Sequence, residues 1–257
     1  MAEPREELGF WEHLDVLRGD LVRIALATLL CSVVAFLFKD GLFDVVFAPK
    51  SPDFITYRLI NRLAAICGAE PLPDFHVKLI NTGLAQQFLV HVKTALCAGV
   101  LCASPYIIYR LFGFVAPALY ARERRYAVRT VIGGYAMFII GVALSYFVIF
   151  PVTFQFLGTY QVSADVTNMI DLESYMSTLI MMCLCLGVVC ELPVVAWLLG
   201  KAGILTPEFM RRYRRHAIVV ILILAAIITP TSDVFTLTLV ALPVWLLYEA
   251  SILLIRK

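Results

Sequence analysis

The stretch Phe114–Arg129, FVAPALYARERRYAVR, decides how the chain is laid out. It lies between two long apolar runs and gathers Arg122, Arg124, Arg125 and Arg129 around one carboxylate, Glu123. If the flanking runs cross a bilayer, this is a short loop with its positive charge against one membrane face. Loops rich in Lys and Arg stay on the cytoplasmic side. The loop also sets one acid, beside an aromatic, where a basic ligand arriving from the cytoplasm can meet it.

Composition supports the bilayer. The chain is 61% hydrophobic with a mean hydropathy of +0.87, well above the roughly 45–50% apolar content of soluble domains. A soluble core could not hide that much apolar surface. The net charge of +2 says little, because its distribution matters more than its total. Of seven cysteines, Cys31, Cys97, Cys102, Cys183, Cys185 and Cys190 fall inside apolar runs and read as small apolar fillers, and only Cys67 lies in a polar segment. Cys183-x-Cys185 has no second cluster at zinc spacing, so no metal site is expected. The mixed charges of residues 1–23 and the lack of a small-x-small site after the first apolar run predict that the first span is retained.

Working outward, residues 8–20 place Phe10, Leu14 and Leu17 at helical spacing with Glu12, Asp15 and Arg18 on other faces. This predicts an amphipathic helix in the membrane interface. Leu21–Phe38 is the first span, about as long as the roughly 20 residues a bilayer core requires. Residues 39–80, with four prolines and five basic residues, read as an external cap holding one short helix over ITYRLINRLAAICG. The second span lies within Thr82–Phe112, with Lys93 snorkelling outward and a bend near Pro105. Residues 110–130 form the first cytoplasmic loop, and Val131–Phe150, closed by Pro151, is the third span. Residues 158–173 contain acids but no Lys or Arg, and so form the second external loop.

Ser174–Leu199 is the fourth span, broken late at Glu191-Leu192-Pro193. Residues 201–216 make a second basic cytoplasmic loop in which Thr206-Pro207-Glu208 starts a helix. Ala217–Thr229 and Phe235–Ile255 follow as the fifth and sixth spans, both read as short. They are expected to thin the bilayer and to offer Val220 and Val240 to a neighbouring helix. Fifteen Lys and Arg then fall in cytoplasmic segments and five in the first cap. The expectation is one all-α integral membrane domain over residues 1–257, six transmembrane helices, and both termini cytoplasmic.

Chemistry is harder to find. No zinc-protease, serine-hydrolase or phosphate-loop motif is present, so no catalytic residue, cofactor or nucleic-acid partner is expected. Glu191 is the sharpest polar signal, because an ionisable side chain among Val189, Cys190 and Leu192 is costly in a membrane. Two readings stand for it: a carboxyl that stabilises helix packing, or a polar point that admits water or docks a partner. Glu123 likewise either pairs with its own arginines on a solvated loop or recognises a ligand. The same two readings apply to Glu12, Asp15 and Arg18, while Asp233 reads as the cap of the last helix. A proton-coupled secondary transporter of a small solute is the alternative that six spans and Glu191 suggest.

The motifs taken together resemble a known family. They are His13-Leu14-x-x-Leu17-Arg18, Ala48-Pro49, Phe114-x-Ala116-Pro117-Ala118-Leu119-Tyr120-x-x-Glu123-Arg124-Arg125, Phe147-x-x-Phe150-Pro151, Glu191-x-Pro193 and Thr229-Pro230-x-x-Asp233-Val234. In this order the chain resembles the TatC family of the twin-arginine protein translocase. The resemblance implies an inner-membrane receptor for twin-arginine signal peptides that exports folded proteins on the proton-motive force. It also implies TatA/TatB-type single-span partners and a homo-oligomer within a larger complex. The resemblance further implies a recognition site of Glu123 with acids of the N-terminal segment, Asp15 or Glu12, near Arg18, Arg124 and Arg125. Phe114 would pack the apolar part of the peptide, and Pro49, Thr229 and Asp233 would serve docking or structure. The family's usual glutamate before Leu-Arg is Val16 here, and the glutamine that some relatives carry in the last span is Leu237.

Overall fold

The computed structural model describes residues 10–68, 77–119, 124–161, 163, 168–201, 203–229 and 233–255. Helix α1 (Phe10–Leu37) runs unbroken for 28 residues. The amphipathic segment and the first span are therefore one helix, since the fall in polarity after Asp20 changes the solvent each side chain prefers without breaking a backbone bond. Two helices occupy the cap where the sequence predicts one: α2 (Lys39–Phe47) and α3 (Ile55–Cys67), which ends at Gly68 in the left-handed conformation. Between them a 3-10 turn carries the buried Pro49.

Helix α4 (Gln86–Leu119) is 34 residues long and α5 (Arg124–Leu144) begins almost at once, so most of the first basic loop is helical. Only Tyr120–Glu123 separates the two helices, and it lies outside the described residues. Proline inside α4 removes the N–H that Leu101 would have bonded. The Ser104 hydroxyl donates to that carbonyl instead, at 2.7 Å, so the polar group stays satisfied where no water can reach.

After α5 a π-helical turn, Ser145–Ile149, leads into α6 (Phe150–Thr159). The same device appears at larger range here. Pro151 frees the Phe147 carbonyl, and Thr56 of α3 donates its hydroxyl to it. One residue on, the Tyr57 hydroxyl lies 3.0 Å from both the Pro49 and the Pro151 carbonyls. Burial holds this phenol above its ordinary pKa, so it remains a donor. The cap is thereby fastened to the break in the third span, with Tyr175 reaching the Val46 carbonyl at 3.0 Å.

The fourth span is α7 (Leu172–Val189) followed by α8 (Leu192–Lys201), interrupted at Cys190 and Glu191 as the Pro193 position predicts. Thr206 accepts from the Phe209 N–H at 3.2 Å and starts the short α9 (Pro207–Arg212). Helices α10 (Arg214–Ile228) and α11 (Val234–Ile255) complete the chain. Among the described residues, five stretches are long and apolar enough to cross a membrane, and α10 is a further apolar helix of 15 residues. Shortness holds for α10 alone. At 22 residues α11 extends about 33 Å and matches a hydrocarbon core of roughly 30 Å.

The core joins Phe150, Met176, Met182 and Leu186 to Ile221, Ala225, Val240 and Val244 across α6, α7, α10 and α11. Large apolar side chains also cover the outside, with Leu26, Leu30 and Leu37 of α1 more than half exposed. That is the surface of a protein solvated by lipid. At the cap end, β1 (Leu79–Ile80) pairs in parallel with β2 (Ile170–Asp171) and links the segments before α4 and α7.

Candidate recognition site

The loop end of the bundle is organised by the contact between α1 and α4. The two helices approach so closely that a Cβ on Gly99 would fall 2.7 Å from the Ser32 backbone nitrogen. Farther toward the cap, Phe36 stacks on His91 with ring centroids 4.0 Å apart. Near the other end, Asp20 accepts from Arg110 of α4 at 3.1 Å and from Arg23 at 3.2 Å. Its side chain is only 13% exposed. Arg110 also bonds the Tyr106 hydroxyl at 3.0 Å. Sequence reading missed this clamp, because the partners are 90 residues apart and each alone looks like a residue at a helix end.

The clamp fixes which side of each helix faces the other. Phe114 lies one turn after Arg110 and is half-buried. On α1, Val16 lies one turn before Asp20 and is 48% exposed, with Glu12 one turn earlier again. Asp15 is exposed and rotated about 100° from Val16, and the exposed Arg18 lies about 160° round the helix from Asp20. The side chains of Glu12, Arg124 and Arg125 lie outside the described residues, as does Glu123 altogether.

Glu191 sits at the α7–α8 break. Both its carboxylate oxygens are buried with no hydrogen-bond partner among the described residues. A Cβ on Gly134 of α5 would come 3.0 Å from Oε2, so the acid is held against a bare stretch of helix backbone. Its surroundings match the cost argument made from sequence: an acid packed against apolar neighbours and unsolvated by the protein.

At the far end of the last two spans, Thr229 is buried and its hydroxyl donates to the Ala225 carbonyl at 3.0 Å. Asp233 accepts from the Thr236 N–H at 2.7 Å and caps α11, the structural role read for it. Among the two positions expected to meet a neighbouring helix, Val220 is 53% exposed but Val240 is fully buried. Val240 faces the core because its helix turns that side toward α10, and Leu242 and Leu246 carry the exposed face instead.

A second clamp fixes the cap end. Asp171 accepts from Gln86, from Thr82 at 3.1 Å and from the Glu173 N–H at 3.0 Å. The Gln86 amide chiefly, with Thr82 and that N–H, holds the Asp171 carboxyl below the usual carboxylate range. Lys93, read as snorkelling outward, pairs with Glu173 at 2.5 Å.

Residues 12–243 match the family described as TatC, Sec-independent protein translocase protein. Proteins of that description in Blattabacterium, Desulforapulum autotrophicum and Aquifex aeolicus are 32%, 34% and 32% identical to this chain. These matches cover 98%, 98% and 95% of the chain and 96%, 86% and 92% of the relatives. The crystal structure of a twin arginine translocase receptor, TatC, superposes with a TM-score of 0.76 at 31% identity, covering 95% of this chain and 98% of that one. A second crystal structure of that receptor, in DDM, gives 0.78 at 30% identity, covering 94% and 98%. The chain therefore belongs to the TatC family of Sec-independent protein translocase proteins, and is an all-helical, multi-pass membrane protein.

Proposed function

We propose that this chain is the receptor subunit that binds twin-arginine signal peptides at the cytoplasmic face of the inner membrane and passes folded cargo outward. Both termini and the two basic segments, 110–130 and 201–216, face the cytoplasm, and the segments 39–80 and 158–173 face out. The observation that supports this best is the α1–α4 clamp. It sets the acidic N-terminal turns of α1 beside the end of α4 that carries Phe114 and leads into Glu123.

Two neighbouring guanidinium groups are recognised best by carboxylates, which pair with each fork in two parallel hydrogen bonds. Glu123 is the principal acid in this reading. Glu12 supplies the second more nearly than Asp15, because Glu12 is only about 40° from Val16 around α1 and Asp15 about 100°. Phe114 packs the apolar stretch that follows the arginines. Arg124 and Arg125 begin α5 and offset the charge of the acid between captures.

The chain holds no energy-converting motif, so the proton-motive force and TatA/TatB-type single-span proteins complete the work. Those partners dock along α10 and α11 near Thr229 and Asp233. Glu191 gives them, or water, a polar point inside the membrane. The chain acts by binding and not as an enzyme.

The test is capture of a labelled twin-arginine signal peptide by the full chain in nanodiscs. Replacing both peptide arginines by lysine, or Glu123→Ala, is expected to lower affinity at least tenfold while the protein still inserts and folds. Equal capture of the lysine peptide would overturn the receptor reading. Proton-coupled solute uptake by the chain alone would favour the transporter.

A further inference from the structure

A cleft of about 280 Å³ opens at the cap end, away from the proposed recognition site. Its wall is Phe47, Leu79, Ile80 and Leu172, and its polar groups are Lys50, Asn81 and Gln87. None of those three polar side chains has a hydrogen-bond or ion-pair partner among the described residues. Asn81 and Gln87 are exposed and Lys50 is half-buried, so all three side chains are open to a ligand that rests on the apolar wall.

The surrounding charges favour an anion. Among the described residues no carboxylate lines the cleft. Asp171, beside Leu172, is committed to Gln86, Thr82 and the Glu173 N–H, and Glu173 is committed to Lys93. Lys50 is thus the one charged side chain among the described lining residues. Helix α4 begins here, with Gln87 in its first turn, and helix starts favour negative charge, whereas the start of α7 is already capped by Asp171.

Position and size narrow the ligand class. The cleft lies where two spans enter the apolar layer, so a ligand there meets headgroups on one side and hydrocarbon on the other. Its volume falls just below the roughly 300–1,000 Å³ range of small-ligand sites. That admits a headgroup but not a whole lipid.

We propose that the cleft binds the phosphate headgroup of an anionic phospholipid from the leaflet at the cap end. Lys50 pairs with the phosphate, the Asn81 and Gln87 amides donate to its oxygens, and the glycerol ester region rests on Phe47, Leu79 and Leu172. Basic groups beside transmembrane helices bind anionic headgroups in this manner. The site is independent of signal-peptide capture.

The full chain in detergent, titrated with phosphatidylglycerol, phosphatidylcholine and inorganic phosphate and read by native mass spectrometry, tests this. Phosphatidylglycerol is expected to be retained over phosphatidylcholine. Lys50→Gln should lower phosphatidylglycerol affinity about fivefold, the factor one lysine near an anionic surface contributes, and Lys50→Arg should restore it. Gln87→Ala should weaken it in the same direction, which keeps the test open if one variant folds poorly. Lys78→Gln, another cap cation, should leave it unchanged. Unchanged affinity in both Lys50→Gln and Gln87→Ala would overturn the site. An equal loss in Lys78→Gln would replace it with diffuse surface charge. Displacement of the lipid by equimolar inorganic phosphate would reassign it to a free anion.

Discussion

At the scale of single residues, the departure that matters most is Val16, which stands where the resemblance to the TatC family implies a glutamate. The structure turns that substitution into a geometric question, because the Asp20–Arg110 pair identifies the side of α1 that meets α4. Val16 and Glu12 follow that side down the helix at successive turns, whereas Asp15 turns away. Loss of a charge-assisted pair with a guanidinium costs about 1.5–3 kcal/mol, or roughly ten- to a hundredfold in affinity. Glu12→Gln is therefore expected to weaken binding of a twin-arginine signal peptide by at least tenfold, and Asp15→Asn by less than threefold. Val16→Glu should strengthen it. Fluorescence anisotropy with labelled peptide reads all three, and an inverted order of the first two would show that Asp15, not Glu12, has taken over the missing acid.

At the scale of elements, much was legible in advance because the membrane makes helices obligatory and charge shows where they end. The break at Glu191-Leu192-Pro193 and the Thr206 cap were readable from local chemistry. What depends on register between distant segments was not. Asp20–Arg110, the Thr56 bond to the carbonyl that Pro151 frees, and the two-residue β pair all join residues about 90 apart. Tyr120–Glu123, the heart of the opening stretch, lies outside the described residues, so its expected role rests on the resemblance and on its flanks. Close packing of α5 against α7 belongs to the same illegible class. A Cβ on Gly141 would fall 2.6 Å from the Leu186 carbonyl oxygen, and one on Gly187 2.8 Å from the Phe138 ring, while Gly133 has open space. Nothing in the sequence separates these three glycines. Since a backbone carbonyl cannot swing aside, Gly141→Ala should destabilise the protein by about 1–3 kcal/mol. Gly133→Ala should change stability by no more than about 0.5 kcal/mol. Thermal unfolding in one detergent compares them, and equal midpoints would mean that α5 and α7 are not held at this spacing.

At the scale of the whole molecule, the apolar helices do not share one length, and the mismatch carries a consequence for the bilayer. Helix α10, at 15 residues, covers about 22 Å, while α11 beside it covers about 33 Å. Tilt cannot reconcile them, because tilting shortens the reach of a helix and α10 is already short of a roughly 30 Å core. Its ends are also fixed: Arg214 pairs with Glu249 at 2.6 Å at one end, and Thr229 is buried at the other. An α10 that no partner shields would thin the lipid on its side, so that the exposed Val219, Val220 and Ile223 would meet a compressed hydrocarbon layer. A bilayer resists compression more as its resting thickness grows, at fractions of a kcal/mol per Å of mismatch. Stability in nanodiscs should accordingly fall as acyl chains lengthen from 14 to 22 carbons, where a protein built of uniform 20-residue spans would peak near the middle of that series. Insertion of four apolar residues after Leu224 adds about 6 Å to α10 and should move the optimum toward longer chains. An optimum that stays in place with the lengthened helix would show that α10 is shielded by protein and does not set the membrane's thickness.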